Sequence, residues 1–117
     1  MSQRKAPVRH TPSADDSLLD EVVRRLVEAY QPQRIYLFGS AARGDAGPDS
    51  DYDFMVVVPD HTPFELQDPG RGYAALCGLG ISKDVVVSTR HNFDKQLHLR
   101  ASFPSTIVRE GKLLYAA

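Results

Sequence analysis

A short apolar run that ends at a Gly-Ser pair constrains the fold of this chain more than any other feature. Residues 34–38 read Arg-Ile-Tyr-Leu-Phe, a composition that favours a β-strand. The strand stops at Gly39-Ser40, where glycine allows a positive φ angle and a close approach of the backbone to a ligand. Residues 41–43 predict one or two helical turns, which Gly44 can end. Backbone N–H groups at such a corner can bind phosphate oxygens, or Ser40 simply caps the short helix.

Two aspartates open the next predicted strand, residues 51–58. Asp51 and Asp53 are two positions apart, so both carboxylates project from one face, roughly 6–7 Å apart at their Cα atoms. Carboxylates this close repel each other unless a positive charge lies between them, and oxygen ligands suit Mg²⁺. The alternative is a solvated strand end. Residues 55–58 are solidly apolar, which predicts a strand that is covered on both faces.

A third acid, Asp84, stands at the start of a predicted strand centred on residues 85–87. It could reach the same sheet edge as Asp51 and Asp53, where three carboxylates would hold two metal ions for an in-line displacement at phosphorus. On its own, Asp84 is interpreted more simply as a surface residue paired with a basic side chain. Arg43 follows the Gly-Ser corner by one helical turn, where it could contact phosphates or remain in solvent.

The other segments complete an alternating pattern of helices and strands. They are a helix capped by Ser13 that ends at Gln31-Pro32, a long loop over 59–70, a helix over 73–79, helices over 92–110 broken near Pro104, and a strand over 113–115. This order predicts an α/β (α+β) domain over residues 14–117, with a small mixed sheet. Residues 1–13 are predicted to be a flexible tail.

Composition is that of an ordinary globular protein, with 42% hydrophobic and 25% charged residues. The formal net charge is -1, so direct nucleic-acid binding through bulk electrostatics is not expected. The chain has one cysteine, Cys77, which predicts a buried core residue and is consistent with a reducing cytoplasm. No apolar stretch reaches the length of a membrane span. None of the histidines has metal-ligand spacing, and all are interpreted as surface or hydrogen-bonded residues: His10, His61, His91 and His98.

The two motifs are more informative together than apart. Residues 38–44 read Phe-Gly-Ser-Ala-Ala-Arg-Gly, and residues 50–56 read Ser-Asp-Tyr-Asp-Phe-Met-Val, with ten residues between Ser40 and Asp51. This arrangement resembles the signature of the nucleotidyltransferase superfamily with the polymerase-beta-like fold. The Ala-Arg-Gly continuation resembles the minimal nucleotidyltransferase branch of that superfamily. The resemblance extends from around residue 18 to the C-terminal run 107–115.

The resemblance implies a set of roles for these residues. Asp51, Asp53 and Asp84 would be catalytic and would bind Mg²⁺, with two ions expected. Asp84 would also help to activate the acceptor hydroxyl. ATP would be the substrate, and its phosphates would be bound by Gly39, Ser40 and Arg43.

The resemblance further implies Mg-dependent transfer of AMP from ATP to a hydroxyl of a partner protein. In the minimal branch that partner is often a ribonuclease toxin of the HEPN type, which would make this chain an antitoxin. Family members that modify antibiotics carry an additional helical domain, whereas this chain ends after the core domain. The acceptor site is therefore expected to come from the 59–70 loop, a second copy or another protein. The alternatives are transfer to a small molecule such as an aminoglycoside, and a non-catalytic antitoxin that acts by binding alone.

Overall fold

A four-stranded mixed sheet forms the centre of the molecule. The computed structural model describes residues 14–43 and 51–117, except for the side chains of residues 14–16, 40 and 43. The strands are β1 (Arg34–Phe38), β2 (Tyr52–Val58), β3 (Lys83–Thr89) and β4 (Lys112–Ala116). Their order in the sheet is β3-β2-β1-β4. Strand β1 is antiparallel to β2 and to β4, whereas β2 and β3 are parallel. The predicted small mixed sheet is confirmed, and the predicted tail lies outside the described residues.

Helices cover both faces of this sheet. They are α1 (Ala14–Tyr30), α2 (Ser40–Arg43), α3 (Pro69–Ala75), α4 (Arg90–Asp94) and α5 (Phe103–Glu110), with a 3₁₀ turn at Phe64–Gln67. Val22 and Leu26 of α1 pack in one buried cluster, and α3 lies against α1 and β3 on the same side. Phe93 of α4 and Ile107 of α5 belong to a second cluster on the opposite face. The sheet is thus the middle of three layers.

Strand β2 supplies side chains to both clusters, because successive residues of a strand point to opposite faces. Phe54, Val56 and Val58 lie in the cluster with α1, and Met55 and Val57 lie in the cluster with α4 and α5. All five are at most 3% exposed. The prediction that this apolar run is covered on both faces is confirmed.

Helix α1 ends where the sequence predicts. Gln31 has a positive φ of 49°, and its N–H donates to the Val27 carbonyl at 2.8 Å. This left-handed residue closes the last turn, and Pro32 cannot continue the helix. The predicted cap at Ser13 lies outside the described residues.

The predicted loop over 59–70 and the predicted helix over 73–79 are both wrong in their bounds. A 3₁₀ turn occupies part of this loop, and α3 begins at Pro69 and ends at Ala75. The Asp68 carboxylate accepts from the Gly70 N–H at 2.9 Å, so it caps the helix, and Pro69 takes the first helical position. Proline is favoured there because that N–H has no helical partner.

The preference of proline for the start of a helix also explains why the predicted helix break near Pro104 is wrong. The structure places Pro104 in the first turn of α5, behind the cap Ser102, whose hydroxyl accepts from the Ser105 N–H. The break between the helices lies instead between Asp94 and Phe103. The final strand is confirmed as β4.

Cys77 is exposed, so its predicted burial is wrong. It follows α3 in a turn that the sheet does not cover. Three of the four histidines are exposed, as predicted, and they are His61, His91 and His98. His10 lies outside the described residues.

Candidate functional site

Two of the predicted aspartates face each other across neighbouring strands. Asp53 of β2 pairs in register with Asp84 of β3, and on its other side with Phe38, the last residue of β1. Residues paired in register project from the same face of a sheet. That face is the one covered by α4 and α5, because Phe38 packs against the second cluster. The two carboxylates therefore meet at one end of the sheet, beside the point where β1 stops.

The electrostatics of Asp53 reflect this crowding. Partial burial raises the pKa of its carboxyl, and the negative charges of Asp84 and then Asp51 raise it further. A side-chain hydrogen bond with Asp84 acts in the same direction. Two ionised carboxylates have no proton to donate to each other, so a cation between them is the usual way to relieve their repulsion. Among the described residues, the site thus brings like negative charges close together.

Asp51 immediately precedes β2 and is exposed. The strand predicted to begin at residue 51 begins at Tyr52. The carboxylate of Asp51 still acts on Asp53 through its charge. Asp51 is therefore a solvent-facing member of the same acidic group rather than a part of the sheet ladder.

Gly39 leaves room for the Asp53 carboxylate. Its φ is 78°, a conformation that side chains disfavour. A Cβ atom at this position would overlap Asp53 Oδ2 and lie 3.3 Å from Asp53 Cγ. The glycine is needed for the backbone bend and for the close approach of the carboxylate. Helix α2 then begins at Ser40, and the Ala42 N–H donates to the Gly39 carbonyl at 3.1 Å.

Part of the predicted phosphate-binding corner is not described. The backbone of Ser40 and Arg43 belongs to α2, but their side chains lie outside the described residues, as does the whole of residues 44–50. The predicted roles of Ser40 and Arg43 therefore stay predictions. What the structure gives is the backbone bend at Gly39, directly over the carboxylate of Asp53.

The donor set suits a hard divalent cation that is shared with a substrate. Within the described ranges, no three His, Cys, Asp or Glu side chains are already arranged as a metal-binding group. Mg²⁺ does not need such a cage, because it is commonly held by one or two carboxylates together with substrate phosphates and water. Asp53 and Asp84 are in contact, and a cation between them would remove the repulsion that raises the Asp53 pKa. The residues present fit Mg²⁺ in this mode.

A tyrosine that the sequence did not single out also reaches the site. The Tyr73 hydroxyl donates to Asp84 Oδ1 at 3.2 Å, and it accepts from the Val85 N–H at 3.2 Å. Strand β3 lies at the edge of the sheet formed by the described strands, and this N–H points away from β2. Tyr73 lies in α3, eleven residues before Asp84, and no local spacing rule connects the two.

The chain matches over residues 19–113 the family model described as a nucleotidyltransferase domain. A Methanocaldococcus jannaschii protein named "Putative protein adenylyltransferase" is 27% identical over 103 residues. The aligned region covers 86% of this chain and 98% of that protein.

Solved structures share the fold. A toxin-antitoxin crystal structure with AMP-PNP has a TM-score of 0.60 and 22% identity, and covers 85% of this chain and 73% of that chain. The crystal structure of a "putative nucleotidyltransferase" from Sulfolobus solfataricus has a TM-score of 0.57 and 20% identity, and covers 86% of this chain and 78% of that chain. A mutant of the MntA-HpeT toxin-antitoxin has a TM-score of 0.58 and 20% identity, and covers 85% of this chain and 73% of that chain.

In the part of the chain that the structure describes, no helix is long and apolar enough to cross a membrane.

Proposed function

Because the chain belongs to the nucleotidyltransferase domain family, we propose that it transfers AMP from Mg-ATP to a hydroxyl group of a partner protein. The observation that carries this proposal is the contact between Asp53 and Asp84, with Asp51 close enough to raise the Asp53 pKa. Carboxylates that converge on the end of a sheet, beside a glycine bend, suit the binding of a metal-nucleotide.

The proposed reaction is an in-line displacement at the α-phosphorus. The acceptor hydroxyl oxygen forms a bond to that phosphorus, the bond to the bridging oxygen of the β-phosphate breaks, and pyrophosphate leaves. Mg²⁺, when bound, neutralises charge on the phosphates and orients them. Asp51, Asp53 and Asp84 would hold two such ions, and Asp84 would accept the proton of the acceptor hydroxyl.

The triphosphate would lie against the corner between β1 and α2. The bend at Gly39 brings the backbone close to the Asp53 carboxylate, and the first N–H groups of a helix such as α2 lack intrahelical partners that a phosphate could replace. Ser40 would donate its hydroxyl to a phosphate oxygen, and Arg43 would contribute a positive charge one turn later. These two contacts are the part of the proposal that depends most on the motif.

The class of acceptor is supported by the comparisons. The Methanocaldococcus jannaschii relative carries the name "Putative protein adenylyltransferase", and two of the structures with this fold are toxin-antitoxin assemblies. On that basis the partner is a toxin, and the minimal-branch motif of residues 38–44 favours one of the HEPN type. The chain would then be an antitoxin that modifies its toxin.

Intact-mass spectrometry tests this proposal directly. The chain is incubated with its partner toxin and Mg-ATP, and the expected result is an increase of the toxin mass by one or more AMP groups. Asp53→Asn should lower the transfer rate at least about 100-fold, because loss of even an outer-shell partner of a metal ligand commonly costs 10–100-fold. Asp20→Asn, a change at an exposed position of α1, is the matched control and should leave the rate unchanged.

Two outcomes would contradict the proposal. One is an unchanged toxin mass under conditions in which the chain binds Mg-ATP. The other is full neutralisation of the toxin by a variant that carries both Asp51→Ala and Asp53→Ala, which would identify a partner that is inhibited by contact alone.

A further inference from the structure

The hydroxyl of Tyr73 is held in one orientation at the acidic end of the sheet. It accepts a hydrogen bond from the Val85 N–H and donates one to Asp84 Oδ1, both at 3.2 Å. Because a backbone N–H can only donate, the hydroxyl proton is free to point at the carboxylate. The Val85 N–H and the Asp84 carboxylate, which are neighbours in β3, thus bind the Tyr73 hydroxyl as acceptor and as donor.

The helix that carries Tyr73 is itself tied to the core. The Tyr30 hydroxyl donates to the Asp68 carbonyl at 2.6 Å and accepts from the Gly72 N–H at 2.7 Å. Gly72 is buried, and a Cβ atom there would lie 2.7 Å from Val85 Cγ1. Helix α3 is therefore packed against β3 as closely as its backbone allows. Tyr73 is the next residue in the chain, so its position relative to β3 is set by this contact.

The hydrogen bond from Tyr73 restricts the orientation of the Asp84 side chain. It is exposed and is the second residue of an edge strand, so its side chain would otherwise sample several rotamers. In the part of the chain that the structure describes, Asp84 lies opposite Asp53 in the strand register and accepts the hydrogen bond from Tyr73. We infer that Tyr73 is a positioning residue, whose hydroxyl orients the Asp84 carboxylate toward Asp53 so that the pair binds a divalent cation. This inference rests on the proposed function for the identity of the cation.

The first test measures metal binding without any turnover. Mn²⁺ replaces Mg²⁺ as the probe, and its binding to the full chain is followed by electron paramagnetic resonance. Tyr73→Phe removes the hydroxyl and retains the ring. Loss of a group that orients a metal ligand is expected to weaken Mn²⁺ binding by about 10-fold. The midpoint of thermal unfolding should change little, because Tyr73 is 40% exposed and water can replace its hydroxyl at the Val85 N–H.

A double-mutant cycle with Asp84→Asn shows whether Tyr73 acts through Asp84. If it does, Tyr73→Phe weakens Mn²⁺ binding in the wild-type background and has no further effect in the Asp84→Asn background. Tyr115→Phe is the matched control. Tyr115 lies in β4, on the opposite edge of the sheet, so removal of its hydroxyl should leave Mn²⁺ binding unchanged.

Kinetics add a second readout. Tyr73→Phe should lower kcat for AMP transfer by about 10-fold and leave the KM for ATP nearly unchanged, because the triphosphate would bind at the Gly39 corner. Equal losses of Mn²⁺ affinity in the two backgrounds of the cycle would overturn the inference. Unchanged Mn²⁺ affinity in a folded Tyr73→Phe protein would overturn it as well.

Failure of this inference is distinguishable from failure of the proposed function. If the wild-type chain transfers AMP and Tyr73→Phe binds Mn²⁺ normally, the positioning role is wrong and the function stands. If the cycle gives the expected Mn²⁺ result and no AMP is transferred to the partner, the positioning role stands and the proposed acceptor or reaction is wrong.

Discussion

The two ends of β2 differ in burial and in charge. Residues 54–58 are at most 3% exposed and pack against helices on both faces. At the other end, Asp53 faces Asp84 with a raised pKa, and Asp51 adds a third charge. Burial of apolar surface stabilises one end, and repulsion between neighbouring carboxylates destabilises the other. A single strand therefore contributes to the core at one end and to the candidate site at the other.

The largest effect on stability is expected from Phe54, which follows Asp53 directly and points to the opposite face. Its side chain is fully buried. Phe54→Ala should lower the free energy of unfolding by about 3–5 kcal/mol, through lost burial and a residual cavity. Urea denaturation measures this change. Phe64, which is 85% exposed, provides the control, and Phe64→Ala should change the free energy by less than about 0.5 kcal/mol. Equal effects of the two substitutions would show that the apolar end of β2 is not the stabilising one.

An intermediate effect is expected at Gly39. Gly39→Ala combines backbone strain at a positive φ with an overlap between the new Cβ and Asp53 Oδ2. The strain alone costs about 1–2 kcal/mol, and displacement of the carboxylate should also weaken Mn²⁺ binding.

Gly78 separates these two contributions. Its φ of 91° is equally unfavourable for alanine, but a Cβ there has no neighbour within 4 Å. Gly78→Ala should therefore reproduce the loss of stability and leave Mn²⁺ binding intact. If both substitutions weaken Mn²⁺ binding to the same extent, Gly39 serves the backbone bend alone.

The smallest effect concerns pH. The pKa of Asp53 is raised in the folded protein, so the folded state retains a proton that the unfolded state has lost. The stabilising contribution of this proton is fully present below roughly pH 4, the ordinary range of an aspartate. It disappears as pH rises through the elevated pKa.

Asp53→Asn isolates this contribution from other titrations. In chelator-treated protein above that pKa, the variant should unfold at a temperature a few degrees higher than the wild type, because the repulsion is absent. Thermal unfolding at several pH values measures the difference, which should shrink toward acidic pH. A variant that is less stable than the wild type at neutral pH would show that the Asp53 carboxylate stabilises this end of the sheet.

Local patterns predicted much of the fold. The stripe of α1 and its end at Gln31, the strands β1 and β2, and the final strand all depend on residues close in sequence. The predictions that Pro69 lies in a loop and that Pro104 breaks a helix are wrong, because proline also takes the first positions of a helix. The capping side chains Asp68 and Ser102 were the signals that distinguish the two cases.

Local spacing relates only the site residues that are neighbours in sequence, and Asp84 is placed at the same sheet edge by its position at the start of a predicted strand and by the resemblance. Asp53 follows from strand alternation, Asp51 from its place just before the same strand, and Gly39 from its place after β1. The contact of Asp53 with Asp84 depends on the register of parallel strands, and that of Tyr73 on the packing of α3, neither of which is written in local spacing. The roles of Ser40 and Arg43 remain predictions from the motif.

The contact between Tyr30 and Gly72 shows how a substitution in the core could affect the candidate site without changing any of its acidic residues. Tyr30 lies in the core helix α1, yet its hydroxyl holds the backbone one residue before Tyr73. Loss of that hydroxyl would loosen α3 and alter how firmly Asp84 is oriented, while all three acids remain unchanged. Relatives of this protein could therefore diverge in reaction rate through residues of the core, and a comparison restricted to their acidic motifs would find them identical.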